Sequence, residues 1–109
     1  MNLTTTTIPL SVSPEAAAFV QELGVQRAFE MMLEQARRLI PDLQSLEVIR
    51  VTLYDEGDVP GITIRALSGY PQLAAERPEQ QWDRWLLATF PPDIWRHFVL
   101  CVYEARHAG

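Results

Sequence analysis

Apolar residues recur along this chain with two different periods, and the changes between them fall at prolines and glycines. From Ser13-Pro14-Glu15 onward the spacing is helical. Ala16, Phe19, Val20 and Leu23 form one stripe. Val25, Phe29, Met32, Leu33, Ala36, Leu39 and Ile40 form a second. At about 100° per residue the two stripes lie on nearly opposite sides of a continuous helix. The pattern therefore predicts helix over 14–40, with two solutions at Gly24. Either the helix breaks there, with Gly24 as its C-terminal cap, or it continues and its first turns pack on something other than the main core. Ser13 at the N-cap, Pro14 in the first turn and Glu15 at the positive end of the dipole supply the start signal. Pro41 supplies the stop.

Beyond Pro41 the period drops to two. Residues 46–55 and 61–67 read as strands joined by a short turn-rich linker, hence an antiparallel hairpin. Ile49, Val51 and Leu53 alternate with Arg50 and Thr52. Ile62, Ile64 and Ala66 alternate with Thr63 and Arg65. Placing the apolar sets toward the helices sends Arg50, Thr52, Thr63 and Arg65 to the outer face together, with Arg84 able to join them. Residues 68–81 are polar and read as a loop. Trp82, Leu86 and Phe90 share a face whether 82–90 is helix or strand. The Pro91-Pro92 that follows disfavours helical backbone at Phe90, so the segment is assigned as a third strand. Pro92-Asp93 opens a last helix over 92–106, with Ile94, Trp95, Phe98, Val99, Cys101 and Val102 on its apolar side.

This order predicts an α+β domain: a small antiparallel sheet of two to three strands packed by an N-terminal and a C-terminal helix. Residues 1–12 are assigned to a flexible or extended N-terminal segment, with Pro9 restricting any strand there to an edge. Residues 13–109 are assigned to one globular domain. No internal repeat is evident.

Composition narrows the function classes. The 109 residues are 48% hydrophobic and 21% charged, which suits one globular domain. All nine basic residues are arginine. The lack of lysine removes Schiff-base chemistry and a Walker-type phosphate lysine. A net charge of −5 argues against DNA, whose binding rests mostly on phosphate neutralisation. RNA on the outer sheet face stays open. The single cysteine allows neither an internal disulfide nor a thiolate-rich metal site, which fits a reducing cytoplasm. No run approaches the roughly 18 apolar residues of a membrane span.

Candidate chemistry is sparse. On the predicted last helix, Asp93, His97, Cys101 and Glu104 fall on one side, and a histidine between carboxylates is the usual frame of a proton shuttle. His97 and Cys101 at i,i+4 would supply two metal ligands, short of the four a zinc site needs. Asp55, Glu56 and Asp58 cluster at the hairpin tip without EF-hand spacing, and read as a solvated turn. No phosphate loop, dinucleotide fingerprint, nucleophile elbow or Cys-x-x-Cys is present, and no cofactor or metal is implied. These residues lean away from an enzyme. The preferred reading is a non-catalytic protein-interaction module that self-associates, using Arg50, Thr52, Thr63, Arg65 and Arg84. The alternative is a small enzyme or ligand-binding protein with a pocket around His97.

Overall fold

A computed structural model describes residues 8–53, 57–69 and 77–104. Their order is β1 (Leu10–Val12), α1 (Pro14–Leu23), α2 (Gln26–Leu39), β2 (Leu43–Leu53), β3 (Val59–Ser68), α3 (Pro78–Thr89), α4 (Pro92–Trp95) and β4 (Phe98–Glu104). The α+β class is as expected, but the sheet is larger and mixed. Four strands lie in the order β1-β2-β3-β4. β1 runs parallel to β2, β2 and β3 form the antiparallel hairpin, and β3 runs parallel to β4. Among the described residues a β-α-α-β order occurs twice, once ending and once beginning at the hairpin. Each half opens its first helix on a proline followed by a glutamate, Pro14-Glu15 and Pro78-Glu79.

The stripe reversal is resolved by a break. Ser13 Oγ accepts a hydrogen bond from the Ala16 N–H at 3.1 Å and starts α1. Gly24 ends it in the left-handed region (φ 67°, ψ 34°), where a side chain would be strained. Its N–H donates to the Gln21 carbonyl and the Val25 N–H to the Val20 carbonyl, the paired closure of a Schellman motif. Two helices with different axes then deliver both stripes to one core. Ala16 and Val20 of α1 are buried in the same cluster as Phe29, Met32, Leu33 and Ala36 of α2.

Two elements differ from expectation. Residues 82–90 are not a strand: α3 carries Trp82, fully buried, and Leu86, 3% exposed, into the core. The proline argument held only where it acts. Phe90 is extended (φ −123°, ψ 154°) and ends the helix, leaving the residues before it free to be helical. The start signal, Pro78-Glu79, sits in what reads as loop, and Gln80 Oε1 accepts from the Arg77 N–H at 2.9 Å to close it. The last helix over 92–106 is also corrected. Pro92-Asp93 opens a helix of four residues, and Phe98–Glu104 is strand. Phe98, Leu100 and Val102 are buried while Val99 and Cys101 are half-exposed, the alternation of a strand with one covered face.

The core lies between the helices and one face of the sheet. Leu46, Val48, Ile62, Ile64, Ala66, Phe98, Leu100 and Val102 supply the sheet side. Trp82 ties the layers by donating its Nε1–H to the Met32 carbonyl of α2 at 3.0 Å. At the far end Ser68, fully buried, donates its hydroxyl to the Pro41 carbonyl at 2.6 Å.

Candidate functional site

Register sorts the expected partner surface onto two faces. In the antiparallel pair Glu47 stands opposite Arg65, Ile49 opposite Thr63, Val51 opposite Gly61 and Leu53 opposite Val59. Opposed residues share a face. Val48 stands opposite Ile64, and both are fully buried. The inward positions of β2 are therefore the even ones. Arg50 and Thr52 belong to the helix side of the sheet, and Ile49, Val51 and Leu53 to the open side, the reverse of the expected parity. Thr63 and Arg65 face outward as expected, and Arg84 lies on α3 instead of the sheet. The five residues of the expected surface do not share one face.

The reversal has a physical cause. β2 is 11 residues long. Its first part, with Leu46 and Val48, lies under the helices, and its last part runs out toward the hairpin tip. There Arg50 lays its guanidinium over the Phe19 ring of α1, 4.5 Å from the centroid, and Arg50 Nη1 donates to the Val51 carbonyl. A cation–π contact takes the place a buried aliphatic residue holds further along the strand.

The outer face that results is largely apolar, with Ser11, Ser45 and Thr63 among its polar positions. β2 contributes Ile49, Val51 and Leu53, β3 contributes Val59 and Leu67, and β4 contributes Val99, Cys101 and Tyr103, in parallel register with Thr63, Arg65 and Leu67. All are half-exposed or exposed, Tyr103 at 49%. Among the described residues, every helix that feeds the core does so on the other face. One ion pair stands within the apolar surface: Arg65 Nη1 lies 3.4 Å from Glu47 Oε1, with both side chains about half-exposed. The Arg65 guanidinium also lies over the Tyr103 ring, 5.5 Å from its centroid. Ser45, Glu47, Arg65, Leu67 and Tyr103 line a shallow depression of about 320 Å³ there.

The second expected site does not assemble. His97 lies in the turn between α4 and β4. The residue is 6% exposed, and its ring packs edge-on against Phe19 with the centroids 5.6 Å apart. Nδ1 is 2.6 Å from the Pro60 carbonyl, so this nitrogen carries a hydrogen and donates it. The His97 carbonyl in turn accepts from the Ile62 N–H at 2.7 Å. These bonds fasten the entry of β4 to β3. Asp93 sits exposed on α4, Cys101 on the open face of β4, and Glu104 at the end of β4. A strand advances about 3.3 Å per residue, so Glu104 lies roughly 20 Å beyond His97 and the four do not converge. The i,i+4 spacing of His97 and Cys101 had meaning only on a helix. No group of three or more metal-ligating side chains exists among the described residues, and no described helix is long and apolar enough to cross a membrane. Asp55 and Glu56 lie outside the described residues.

Sequence reasoning did not single out Glu79 and Asp83 on α3. Glu79 binds Arg77 through two bonds, Nε to Oε1 at 2.9 Å and Nη2 to Oε2 at 3.2 Å, and also accepts from the Val102 N–H at 3.4 Å. It thereby covers one backbone donor of edge strand β4. One turn on, partial burial and then the charge of Glu79 push the Asp83 carboxyl above its ordinary value. A folded-state pKa above the unfolded one means that the folded chain binds more protons in the interval between them, so stability falls as pH rises through it. Asp83→Asn removes that loss. Its denaturation midpoint should exceed that of the wild type at neutral pH, and the two should converge at pH values below the unfolded aspartate pKa. Urea titrations at the two pH values check this.

No protein-family model, curated protein or solved structure matches this chain. The class is set by architecture: a two-layer α+β domain whose four-stranded mixed sheet has helices on one face.

Proposed function

We propose that this chain is a non-catalytic interaction module that self-associates through the open face of its sheet. One observation carries the reading. Ile49, Val51 and Leu53, placed outward by register, join Val59, Leu67 and Val99 in an apolar surface that no described element covers. Contiguous apolar patches on a small domain mark interaction surfaces. The charge pattern favours protein over a phosphate backbone. Arg65 is the arginine that the sheet presents there, and Glu47 already neutralises it. The half-exposed thiol of Cys101 suits a reducing cytoplasm, where we place the module.

Sedimentation velocity from micromolar to near-millimolar concentration tests this. The wild type should sediment as a dimer. Val51→Asp with Val99→Asp should be a folded monomer, because an unpaired carboxylate buried in the contact costs at least about 3 kcal/mol. A wild type that stays monomeric throughout overturns the reading.

A further inference from the structure

We infer that the two copies are related by a two-fold axis along the β2–β3 seam, so that Glu47 of each copy pairs with Arg65 of the other; this rests on the self-association proposed above. A closed two-fold contact must be self-complementary, each patch meeting its own copy. Glu47 and Arg65 meet that requirement by position. They are directly opposed across the two central strands, at one height, one on each side of the seam. An axis lying between the stacked sheets and along this seam sets β2 of one copy over β3 of the other. It carries each Glu47 onto the partner's Arg65 without changing its height.

Shape follows the same operation. On the open face β2 presents bulky Ile49 opposite the smaller Thr63 of β3, while Gly61, opposite Val51, is buried beneath Leu53 of its own chain. The rotation places Ile49 of one copy over Thr63 of the other, a bulky position over a smaller one. Twisted sheets stacked this way keep their strands within about 30° of each other. Three strands spaced about 4.8 Å apart over roughly six residues, with the three-residue β1 beside them, give a footprint near 330 Å² before side-chain relief is added. Side-chain relief raises the buried area above that plane figure, toward the low end of specific interfaces at about 600 Å² per partner.

Charge selects this occupant over others. Among the described residues the face holds one acid and one base, so a copy arranged on the seam axis returns one base and one acid to the same spot. An acidic or a basic partner would leave one of the two buried beside a like charge. The Arg65 guanidinium rests over the Tyr103 ring, 5.5 Å from its centroid. The four charges then act as a register device within an otherwise apolar contact, as polar groups do in other self-pairing interfaces.

The test uses single and double charge reversals, read by native mass spectrometry and sedimentation. Glu47→Arg alone and Arg65→Glu alone should each dissociate at least ~100-fold more readily than the wild type, because like charges meet across the axis. Mixed together, the two single variants should form a heterodimer, since every cross-axis contact is then between opposite charges. The double variant Glu47→Arg with Arg65→Glu keeps an ion pair within its own chain, so it remains folded even if repulsion unfolds a single variant. It should form homodimers and refuse to mix with the wild type. A statistical mixture of double variant and wild type overturns the inference, as do single variants that stay homodimeric, while self-association itself survives either result. A monomeric wild type removes both.

Discussion

Trp82→Ala should cost about 3–5 kcal/mol of folding free energy, the range for emptying a large aromatic site in a core. A domain of this size holds roughly 5–15 kcal/mol in all, so the variant loses about a fifth or more of its stability. Two observations place Trp82 at the top of that range. It is the largest fully buried side chain. It also joins α3 to α2 through its indole hydrogen bond to the Met32 carbonyl at 3.0 Å. Trp82→Phe separates the two contributions. It keeps most of the apolar volume and loses the bond, which by itself is worth about 1 kcal/mol. Urea denaturation of the three proteins checks the expectation, at one fixed concentration because self-association adds stability by mass action. A loss near 1 kcal/mol for the alanine variant would mean that the two helices are held by something else.

Gly61→Ala should destabilise the hairpin although it replaces glycine in a strand. Relieving glycine of its unfolded-state freedom gains about 0.4–1 kcal/mol where the space exists. Here it does not. A Cβ would lie 2.6 Å from Leu53 Cδ1, 2.7 Å from Leu53 Cγ and 3.0 Å from the His97 carbonyl oxygen. That oxygen is held by the Ile62 N–H at 2.7 Å and has little room to retreat. Overpacking of this kind costs about 1–3 kcal/mol and outweighs the entropic gain. Leu53→Ala in the same chain should return most of the loss, because the closest contacts are with the leucine. A four-protein denaturation cycle measures that coupling, expected at about 1 kcal/mol or more. Additive effects would show that the His97 carbonyl, not Leu53, is the obstacle.

The two largest corrections came from signals that were present but degenerate. Trp82, Leu86 and Phe90 are four apart, and four is a multiple of two, so the triplet fits either period. What separates the readings is the Pro78-Glu79 opening upstream, which lies in a polar stretch. Phe98–Glu104 packs seven largely apolar residues after a helix start. Pro92-Asp93 says where a helix begins and nothing about how long it runs. On β2 both parities carry apolar residues, Leu46 and Val48 on one and Ile49, Val51 and Leu53 on the other. Counting favours the second set. The register with Ile64 selects the first.

The sequence by itself determined the α+β class, the α1 cap at Ser13, the hairpin and the inward set of β3. Each follows from local physics: a capping hydroxyl, a proline at a helix start, an alternation bounded by turn residues. It also pointed to Gly24, without deciding between a break and a continuous helix. Only the tertiary structure decided that the two helical stripes meet in one core, that Trp82 belongs to a helix, and which face of β2 is covered. The reason is that a strand's buried side is chosen by its neighbours' register and by how far the helices reach, and neither is encoded within the strand. The open apolar face, with Glu47 and Arg65 set side by side upon it, is a consequence of that choice.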